Sequence, residues 1–264
     1  HLARKEDRGW RETVEKSVAK SREALAGAAE QEADPINPQR ITRELSPRLP
    51  DRAIVTTDSG TTTAWWARDL DLREGMMGSC SGTLATMGCA VPYAIAAKFA
   101  HPDRAVIALA GDGAMQMNGM SELVTIARYW KRWADPRLIV MVLNNRELAF
   151  VTWEERTQLG DPKYPASQDL PDIPYADVAR LMGLGGRRVE TPGDIGPAWD
   201  EALAADRPFV LDILADPNVP PLPPHITLAQ ARGFANALWS GEEERAGVIG
   251  GAARQILGRL LPDA

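Results

Sequence analysis

The chain has 264 residues, of which 44% are hydrophobic and 25% are charged, so it can build a hydrophobic core and extensive disorder is not expected. Its net charge of −6 argues against binding to nucleic acids or anionic membranes, and its two cysteines cannot supply a disulfide framework or a four-ligand zinc site. No apolar run approaches the ~18 residues of a membrane span and the first residues are too polar for a signal peptide, so we expect a cytoplasmic protein without a membrane span.

The first predicted element is an amphipathic helix within residues 1–34. At 100° per residue, four apolar side chains fall within an arc of about 80°: Trp10, Val14, Val18 and Leu25. This stripe is too narrow for an independent domain, so we expect the helix to dock on another part of the protein. The double-proline segment 34–38 ends the helix and predicts a domain boundary.

Apolar runs that are typical of buried strands alternate with helical patterns beyond this boundary. The runs cover residues 53–57, 105–110, 138–143 and 209–214. One helical pattern passes through Leu123, Ile126 and Trp130; another places Leu84, Met87, Val91, Ile95 and Phe99 on one face, where Pro92 forces a kink or a late start. Such alternation predicts an α/β fold, a doubly wound parallel sheet with helices on both faces, which we assign to residues 35–216.

The C-terminal region is predicted to lie outside the sheet. Five of the eight residues at 217–224 are proline, so this segment should be an extended strap rather than a strand. We assign residues 217–264 to this strap and a helical tail.

Small polar residues follow two of the predicted strands, at the ends where open parallel sheets bind ligands. Asp112 lies between Gly111 and Gly113, and glycine permits a tight turn and close approach to the backbone. Asn144 and Asn145 follow the next strand. One carboxylate with amide, carbonyl and phosphate oxygens suits Mg²⁺, and the N–H groups at a helix start favour a diphosphate. Each motif alone is more often a simple turn or strand end, but together they predict a Mg²⁺-diphosphate site.

This pattern resembles the thiamine-diphosphate motif, in which Gly-Asp-Gly is followed by Asn-Asn at the end of the next strand. The intervening 30 residues, 114–143, are slightly more than is usual. Segments 58–62 and 81–92 resemble acetolactate synthases and pyruvate oxidases, and the tail 223–234 is most similar to pyruvate oxidases. The resemblance covers roughly residues 36–240 and identifies the chain as the C-terminal diphosphate-binding domain of a member of that family.

The resemblance implies ligands for the metal and for the diphosphate. The side chains of Asp112 and Asn145 would ligate Mg²⁺, with the backbone carbonyl of Glu147 as the third protein ligand. The remaining cofactor-binding positions are Gly60, Thr61, Thr62, Gly111, Gly113 and Ala114.

The resemblance also implies residues that orient the cofactor and face the substrate. Met87 would support the cofactor in a bent conformation, and the carbonyl of Ala85 would accept the 4′-amino group of its pyrimidine. Phe150, Val151 and Glu154 would lie on the substrate side. From the residues alone, Met87 and Phe150 can equally be core side chains and Glu154 a solvated charge.

Members of this family activate the cofactor with a glutamate from a preceding pyrimidine-binding domain, and no segment of the 264 residues resembles that domain. We therefore expect residues 1–34 to end a central domain, in a fragment or in a chain whose partner subunit supplies the missing half, and we expect this part to be inactive alone. The implied enzyme is a homo-oligomer that decarboxylates pyruvate or a similar 2-oxo acid and then oxidises or ligates the product. FAD is possible in the full-length enzyme but is not expected to bind this part alone.

Two alternatives remain open at this point. Cys80, at the centre of the sequence 78–82, resembles the nucleophile elbow of a cysteine hydrolase with His225 as its partner, although residues 73–77 make a poor preceding strand. The chain could also be a non-catalytic cofactor-binding subunit of a two-component enzyme. As neither His101 nor His225 has a partner at metal or triad spacing, we interpret both as structural.

Overall fold

Six parallel strands form a single sheet in the computed structural model of the chain, which describes residues 7–221, 227–242 and 245–260, the side chains of 253–260 excepted. The strands are β1 (Ile54–Thr57), β2 (Met77–Ser79), β3 (Val106–Gly111), β4 (Leu138–Asn144), β5 (Gly185–Val189) and β6 (Phe209–Leu214). Their order across the sheet is β2-β1-β3-β4-β6-β5, and every neighbouring pair is parallel. This confirms the predicted doubly wound α/β fold.

Twelve helices accompany the sheet in the described part of the chain. They are α1 (Gly9–Ala29), α2 (Pro38–Leu45), α3 (Thr61–Asp69), α4 (Ala90–Ala100), α5 (Asp112–Ala114), α6 (Met120–Tyr129), α7 (Ala149–Glu154), α8 (Pro165–Gln168), α9 (Tyr175–Leu181), α10 (Ile195–Ala204), α11 (Leu228–Trp239) and α12 (Arg245–Leu260). Two π-helical turns, Met115–Gly119 and Glu155–Leu159, extend α5 and α7, and short 3₁₀ turns occupy Ser46–Arg48, Trp130–Arg132 and Pro192–Asp194.

The core lies on both faces of the sheet, because successive strand side chains point in opposite directions. Ile107 and Leu109 of β3 pack in the cluster that contains Trp65 of α3 and Trp199 of α10. Val106, Ala108 and Ala110 of the same strand pack in the opposite cluster, which contains residues from α4, α6 and α9. A strand with two buried faces has to be apolar throughout, so the continuous runs in the sequence located β1, β3, β4 and β6 correctly.

The sequence analysis missed the two edge strands. Strand β2 has three residues, all exposed, and β5 has the polar sequence Gly-Gly-Arg-Arg-Val. Each pairs with a single neighbour, β2 with β1 and β5 with β6. An edge strand has a free side and does not need apolar residues, so its sequence carries no run that distinguishes it from a loop.

The prediction that Leu84 and Met87 share a helical face with Val91 was wrong. Helix α4 begins only at Ala90, which is the late start that Pro92 had suggested, and Leu84 is 84% exposed. Upstream of the helix, Ala85 and Gly88 adopt positive φ angles of 46° and 86°, which a helix cannot contain.

The N-terminal helix α1 docks on the rest of the structure only through its C-terminal end. Leu25, Ala28 and Ala29 are buried, whereas Trp10, Val14 and Val18 remain 75%, 39% and 45% exposed. The predicted boundary that follows contains a cis peptide bond between Asp34 and Pro35. None of the described helices combines the length and the apolar content that crossing a bilayer requires.

Asp69, at the end of α3, has a buried carboxyl group that should make the stability of the fold depend on pH. Its side chain is fully buried, neither carboxylate oxygen accepts a hydrogen bond from the described residues, and a guanidinium nitrogen of Arg43 lies 3.9 Å away. Burial raises the pKa of Asp69 from 3.8 to about 7. Between these two pH values the folded state keeps a proton that the unfolded state has lost, so this carboxyl group makes stability fall as pH rises from about 4 to 7.

Asp69→Asn is therefore expected to increase the free energy of unfolding by about 2 kcal/mol at pH 8 and to change it little at pH 5. Urea denaturation at the two pH values measures this difference. Asp71→Asn is the matched control, because Asp71 is nearby but 69% exposed and should give no such dependence. Equal effects of Asp69→Asn at pH 5 and pH 8 would contradict the assignment.

Candidate functional site

The candidate site is a cleft of about 400 Å³ at the carboxyl ends of β1, β3 and β4. The chain places β2 on one side of β1 and β3 on the other, and this reversal of winding direction is where doubly wound sheets bind ligands. The cleft is lined by Ser59, Gly60, Thr61, Thr62, Met87, Gly111, Asp112, Gly113, Ala114, Asn145, Glu147, Leu148, Ala149, Phe150 and Val151. The structure thus brings together every predicted site residue except Ala85 and Glu154.

Asp112 occupies the first position after β3 and is 3% exposed. Its Oδ1 accepts a hydrogen bond from the N–H of Gly113 at 2.8 Å, and its Oδ2 accepts one from the N–H of Arg146 at 2.5 Å. Among the described residues no lysine, arginine or histidine forms a salt bridge with it. Burial raises its pKa from 3.8 to about 7 despite these hydrogen bonds. A buried carboxylate in this state would be stabilised by a cation.

The loop after β4 turns back toward Asp112. Arg146 adopts a left-handed conformation with a φ of 57°, which is strained for a residue with a side chain and directs its N–H to Asp112. Asn145 is 6% exposed, and its Oδ1 accepts a hydrogen bond from the N–H of Glu147 at 3.2 Å. Both side chains predicted as metal ligands, and the residue predicted to offer its carbonyl, therefore lie on one wall of the cleft.

The opposite wall is the turn between β1 and α3. Gly60 has a φ of 118° and a ψ of −150°, a conformation open essentially only to glycine, and it immediately precedes Thr61, the first residue of α3. The hydroxyl of Thr62 donates to the carbonyl of Asp58 at 3.1 Å, so its side chain closes the turn rather than extending into the cleft. The free N–H groups at the start of α3 are suited to binding an anion.

Asp58 is a site residue that the sequence analysis did not single out. It is 1% exposed, and its carboxylate accepts hydrogen bonds from the N–H groups of Ser59 at 3.0 Å, Gly88 at 2.7 Å and Ala90 at 3.2 Å. It thereby fixes the start of α4 and tethers the loop that carries Met87 to the end of β1. The sequence feature that could have identified Asp58 is its position directly after a buried strand.

Met87 reaches the floor of the cleft beside Gly113. A Cβ atom added to Gly113 would lie 3.3 Å from the Met87 methyl carbon and only 2.6 Å from a methyl carbon of Leu148, whereas one added to Gly111 would meet nothing within 4 Å. Glycine at position 113 therefore allows these two side chains to approach the backbone. Met87 is half-buried and lies outside any helix, so it is not a residue of a helical core stripe.

Residues 58–213 match the family described as "Thiamine pyrophosphate enzyme, C-terminal TPP binding domain". This chain belongs to that family.

Relatives of the chain are several-fold longer than the part they share with it. The thiamine pyrophosphate-containing protein YdaP of Bacillus subtilis is 33% identical over 89% of this chain, which corresponds to 39% of YdaP. The mitochondrial acetolactate synthase catalytic subunit of Aspergillus candidus is 34% identical over 71% of this chain, which corresponds to 26% of the Aspergillus protein. The acetolactate synthase large subunit of Cyanidium caldarium is 31% identical over 67% of this chain, which corresponds to 29% of the Cyanidium protein. The chain is thus similar to the thiamine pyrophosphate-binding domain of acetolactate synthase-like enzymes.

Two predicted positions of this thiamine pyrophosphate-binding domain lie outside the cleft. Ala85 is exposed in the loop before α4 and has a left-handed φ of 46°. Glu154, at the end of α7, lines a neighbouring cavity together with Phe150 and with Gln230 of α11. Phe150 lines both spaces and separates them.

A partly buried polar network behind the loop after β4 was also not predicted. The side-chain amide of Asn144, the last residue of β4, donates to Asp212 at 2.9 Å and to Asp172 at 3.3 Å. Arg188 of β5 pairs with the same two carboxylates, at 3.1 Å and 2.6 Å. Asn144 therefore anchors the loop, and Asn145 alone of the pair faces the cleft. The sequence feature that could have indicated this network is the acidic Asp212 within an otherwise apolar strand.

The structure does not support the cysteine hydrolase. Cys80 follows the three-residue edge strand β2, and the chain then passes through turns until α4 begins at Ala90, whereas a nucleophile elbow leads from a strand directly into a helix. His225 lies outside the described residues. His101 ends α4 and donates its backbone N–H to Ala97.

The donor set is compatible with Mg²⁺ held jointly by protein and phosphate oxygens. Within the described ranges, no group of three or more histidine, cysteine, aspartate or glutamate side chains could hold a metal by itself. The cleft instead offers one carboxylate without a cationic partner, Asp112, with the amide of Asn145 and backbone carbonyls. Such a shell is complete only when a ligand brings further oxygens, as a diphosphate does.

Proposed function

We propose that this chain binds thiamine diphosphate together with Mg²⁺ in the cleft between β1, β3 and β4. The observation that carries the proposal is the buried carboxylate of Asp112, which has no cationic partner among the described residues and lies beside glycine backbone and helix N-termini. Asp112, Asn145 and the carbonyl of Glu147 would hold the metal. Gly60, Thr61, Thr62, Gly113 and Ala114 would contact the diphosphate.

We further propose that the complete enzyme decarboxylates pyruvate or a similar 2-oxo acid and then oxidises the product or ligates it to a second carbonyl compound. Thiamine diphosphate, when bound, supplies the electron sink for this decarboxylation. The residues of this chain would bind and orient the cofactor: Met87 would support it, and Ala85 would offer its backbone carbonyl to the pyrimidine. Phe150 and Val151 would shield the substrate side from water. Similarity to acetolactate synthases favours ligation, and the pyruvate oxidase-like tail favours oxidation.

The activating carboxylic acid is proposed to come from a pyrimidine-binding domain elsewhere in the enzyme, in the same chain or in a partner subunit. This arrangement would require a homo-oligomer or a two-component assembly, and any FAD would bind outside these residues. The alternative of a cofactor-binding half without turnover uses the same cleft. It differs only in what the complementary domain does.

The proposal predicts that the 264-residue chain binds the cofactor but does not turn over pyruvate. Diphosphate binding anchors the cofactor without activating it, so affinity survives while the rate does not. Calorimetry with Mg²⁺ and thiamine diphosphate measures binding, and release of CO₂ from pyruvate measures turnover, first by the chain and then by the complete enzyme. Absence of binding overturns the cofactor assignment, steady turnover by the chain alone shows that the activating acid is present in it, and an inactive complete enzyme favours the non-catalytic alternative.

A further inference from the structure

Lys163 lies in the segment between the second π-helical turn and α8, where no sequence motif predicted a functional residue. Its ammonium group is 2.6 Å from Oε2 of Glu147 and 2.7 Å from Oδ1 of Asp169. The side chains of Lys163 and Glu147 are 11% and 2% exposed, whereas Asp169 is 54% exposed. The Lys163–Glu147 contact is therefore a buried ion pair.

Helix α8 and the residues directly after it brace the loop after β4 through backbone hydrogen bonds. The N–H of Leu148 donates to the carbonyl of Gln168 at 2.8 Å, and the N–H of Leu170 donates to the carbonyl of Arg146 at 2.8 Å. Lys163 is itself held at its backbone, where its N–H donates to the carboxylate of Glu242 at 3.2 Å. The lysine thus connects two fixed parts of the structure and has little freedom to move.

Glu147 places a second buried carboxylate next to the metal ligands. Its Oε2 accepts the hydrogen bond from Lys163, while its Oε1 has no hydrogen-bond partner in the described part of the chain. A buried carboxylate that loses its cation is strongly unfavourable, so without Lys163 this group would turn toward another cation. The cation that the proposed function introduces nearby is Mg²⁺, two residues from Asn145.

We propose that Lys163 is a positioning residue for the metal-binding loop. By pairing with the carboxylate of Glu147, it keeps that carboxylate away from Mg²⁺, so that the residue presents its backbone carbonyl and Asp112 remains the single acidic ligand. The inference rests on the proposed function, because it concerns the same site. Groups that orient metal ligands in this indirect way typically change metal affinity about 10–100-fold when they are removed.

The test is titration of Mg²⁺ in the presence of saturating thiamine diphosphate, followed by calorimetry, at a temperature where thermal unfolding shows every variant to be folded. Lys163→Met is expected to weaken Mg²⁺ binding about tenfold or more, because the released Glu147 side chain no longer holds the backbone carbonyl of this residue in the position that the metal requires. Lys163→Arg, which retains the charge, should stay close to the parent chain. The double variant Lys163→Met/Glu147→Gln should recover most of the loss, because it removes both charges of the pair.

Lys16→Met is the matched control, since it removes one exposed lysine on α1 far from the cleft. A purely structural role for Lys163 would lower the unfolding temperature without changing Mg²⁺ affinity, and that result, or failure of the double variant to recover affinity, overturns the inference. If Lys163→Met does not fold, Lys163→Gln, which keeps a hydrogen-bond donor for Glu147, replaces it under the same criteria. Absence of binding by the parent chain contradicts the proposed function instead.

Discussion

Asp112→Ala is expected to weaken the joint binding of Mg²⁺ and thiamine diphosphate by at least ~100-fold, which in calorimetry would appear as complete loss. Glu147 is the other carboxylate residue lining the cleft, and it is already paired with Lys163. Asp112 is therefore the acidic ligand available to the metal. The diphosphate depends on the metal in turn, because its negative charge would otherwise face a site with a buried carboxylate.

Asp112→Asn separates loss of the ligand from loss of the fold. The pKa of Asp112 is raised to about 7 from an ordinary 3.8, so in the absence of metal its charge makes stability fall as pH rises from about 4 to 7. The asparagine variant should consequently be more stable than the parent chain at pH 8 in metal-free urea denaturation, while binding no cofactor. Asp161→Ala, at an exposed position, should bind normally. Unchanged affinity of Asp112→Ala would disprove the metal assignment.

Arg156→Met is expected to lower the free energy of unfolding by about 3–5 kcal/mol, because it removes one partner of a buried ion pair. Arg156 and Glu242 are each 1% exposed and form two hydrogen bonds of 2.8 and 2.9 Å. The guanidinium also stacks 5.1 Å from the ring centroid of Trp153, which in turn stacks on Phe234 of α11. The ion pair therefore connects the segment after α11 to the π-helical turn that follows α7.

Urea denaturation measures the decrease in the free energy of unfolding, and two further variants show whether the buried ion pair causes it. Arg156→Met/Glu242→Gln should be less destabilised than the sum of the two single variants, because each single variant already breaks the same buried ion pair. Arg180→Met is the control, since its partner Asp177 is on the surface and both side chains are more than half exposed. This control should cost less than about 1 kcal/mol. An Arg156→Met variant as stable as Arg180→Met would refute the role of the buried pair.

The central strands and the position of the site could be predicted from the sequence, because a strand that is buried on both faces requires a continuous run of apolar residues. Strands β3 and β4 lie in the middle of the sheet, so each has to be a continuous apolar run, and the runs end where Asp112 and Asn145 begin. Parallel strands bring their carboxyl ends to one edge. Two short motifs that are 30 residues apart in sequence were therefore predictable as neighbours in space.

The remainder was decided by contacts between distant segments, which no local pattern encodes. The start of α4 depends on Asp58, which lies 30 residues before Gly88 and accepts its N–H. The pairing of Lys163 with Glu147 spans 16 residues, and that of Arg156 with Glu242 spans 86. In the sequence these charged residues cannot be distinguished from solvated ones. A charged side chain is buried only where folding places an oppositely charged group beside it, and the tertiary structure alone determines which group that is.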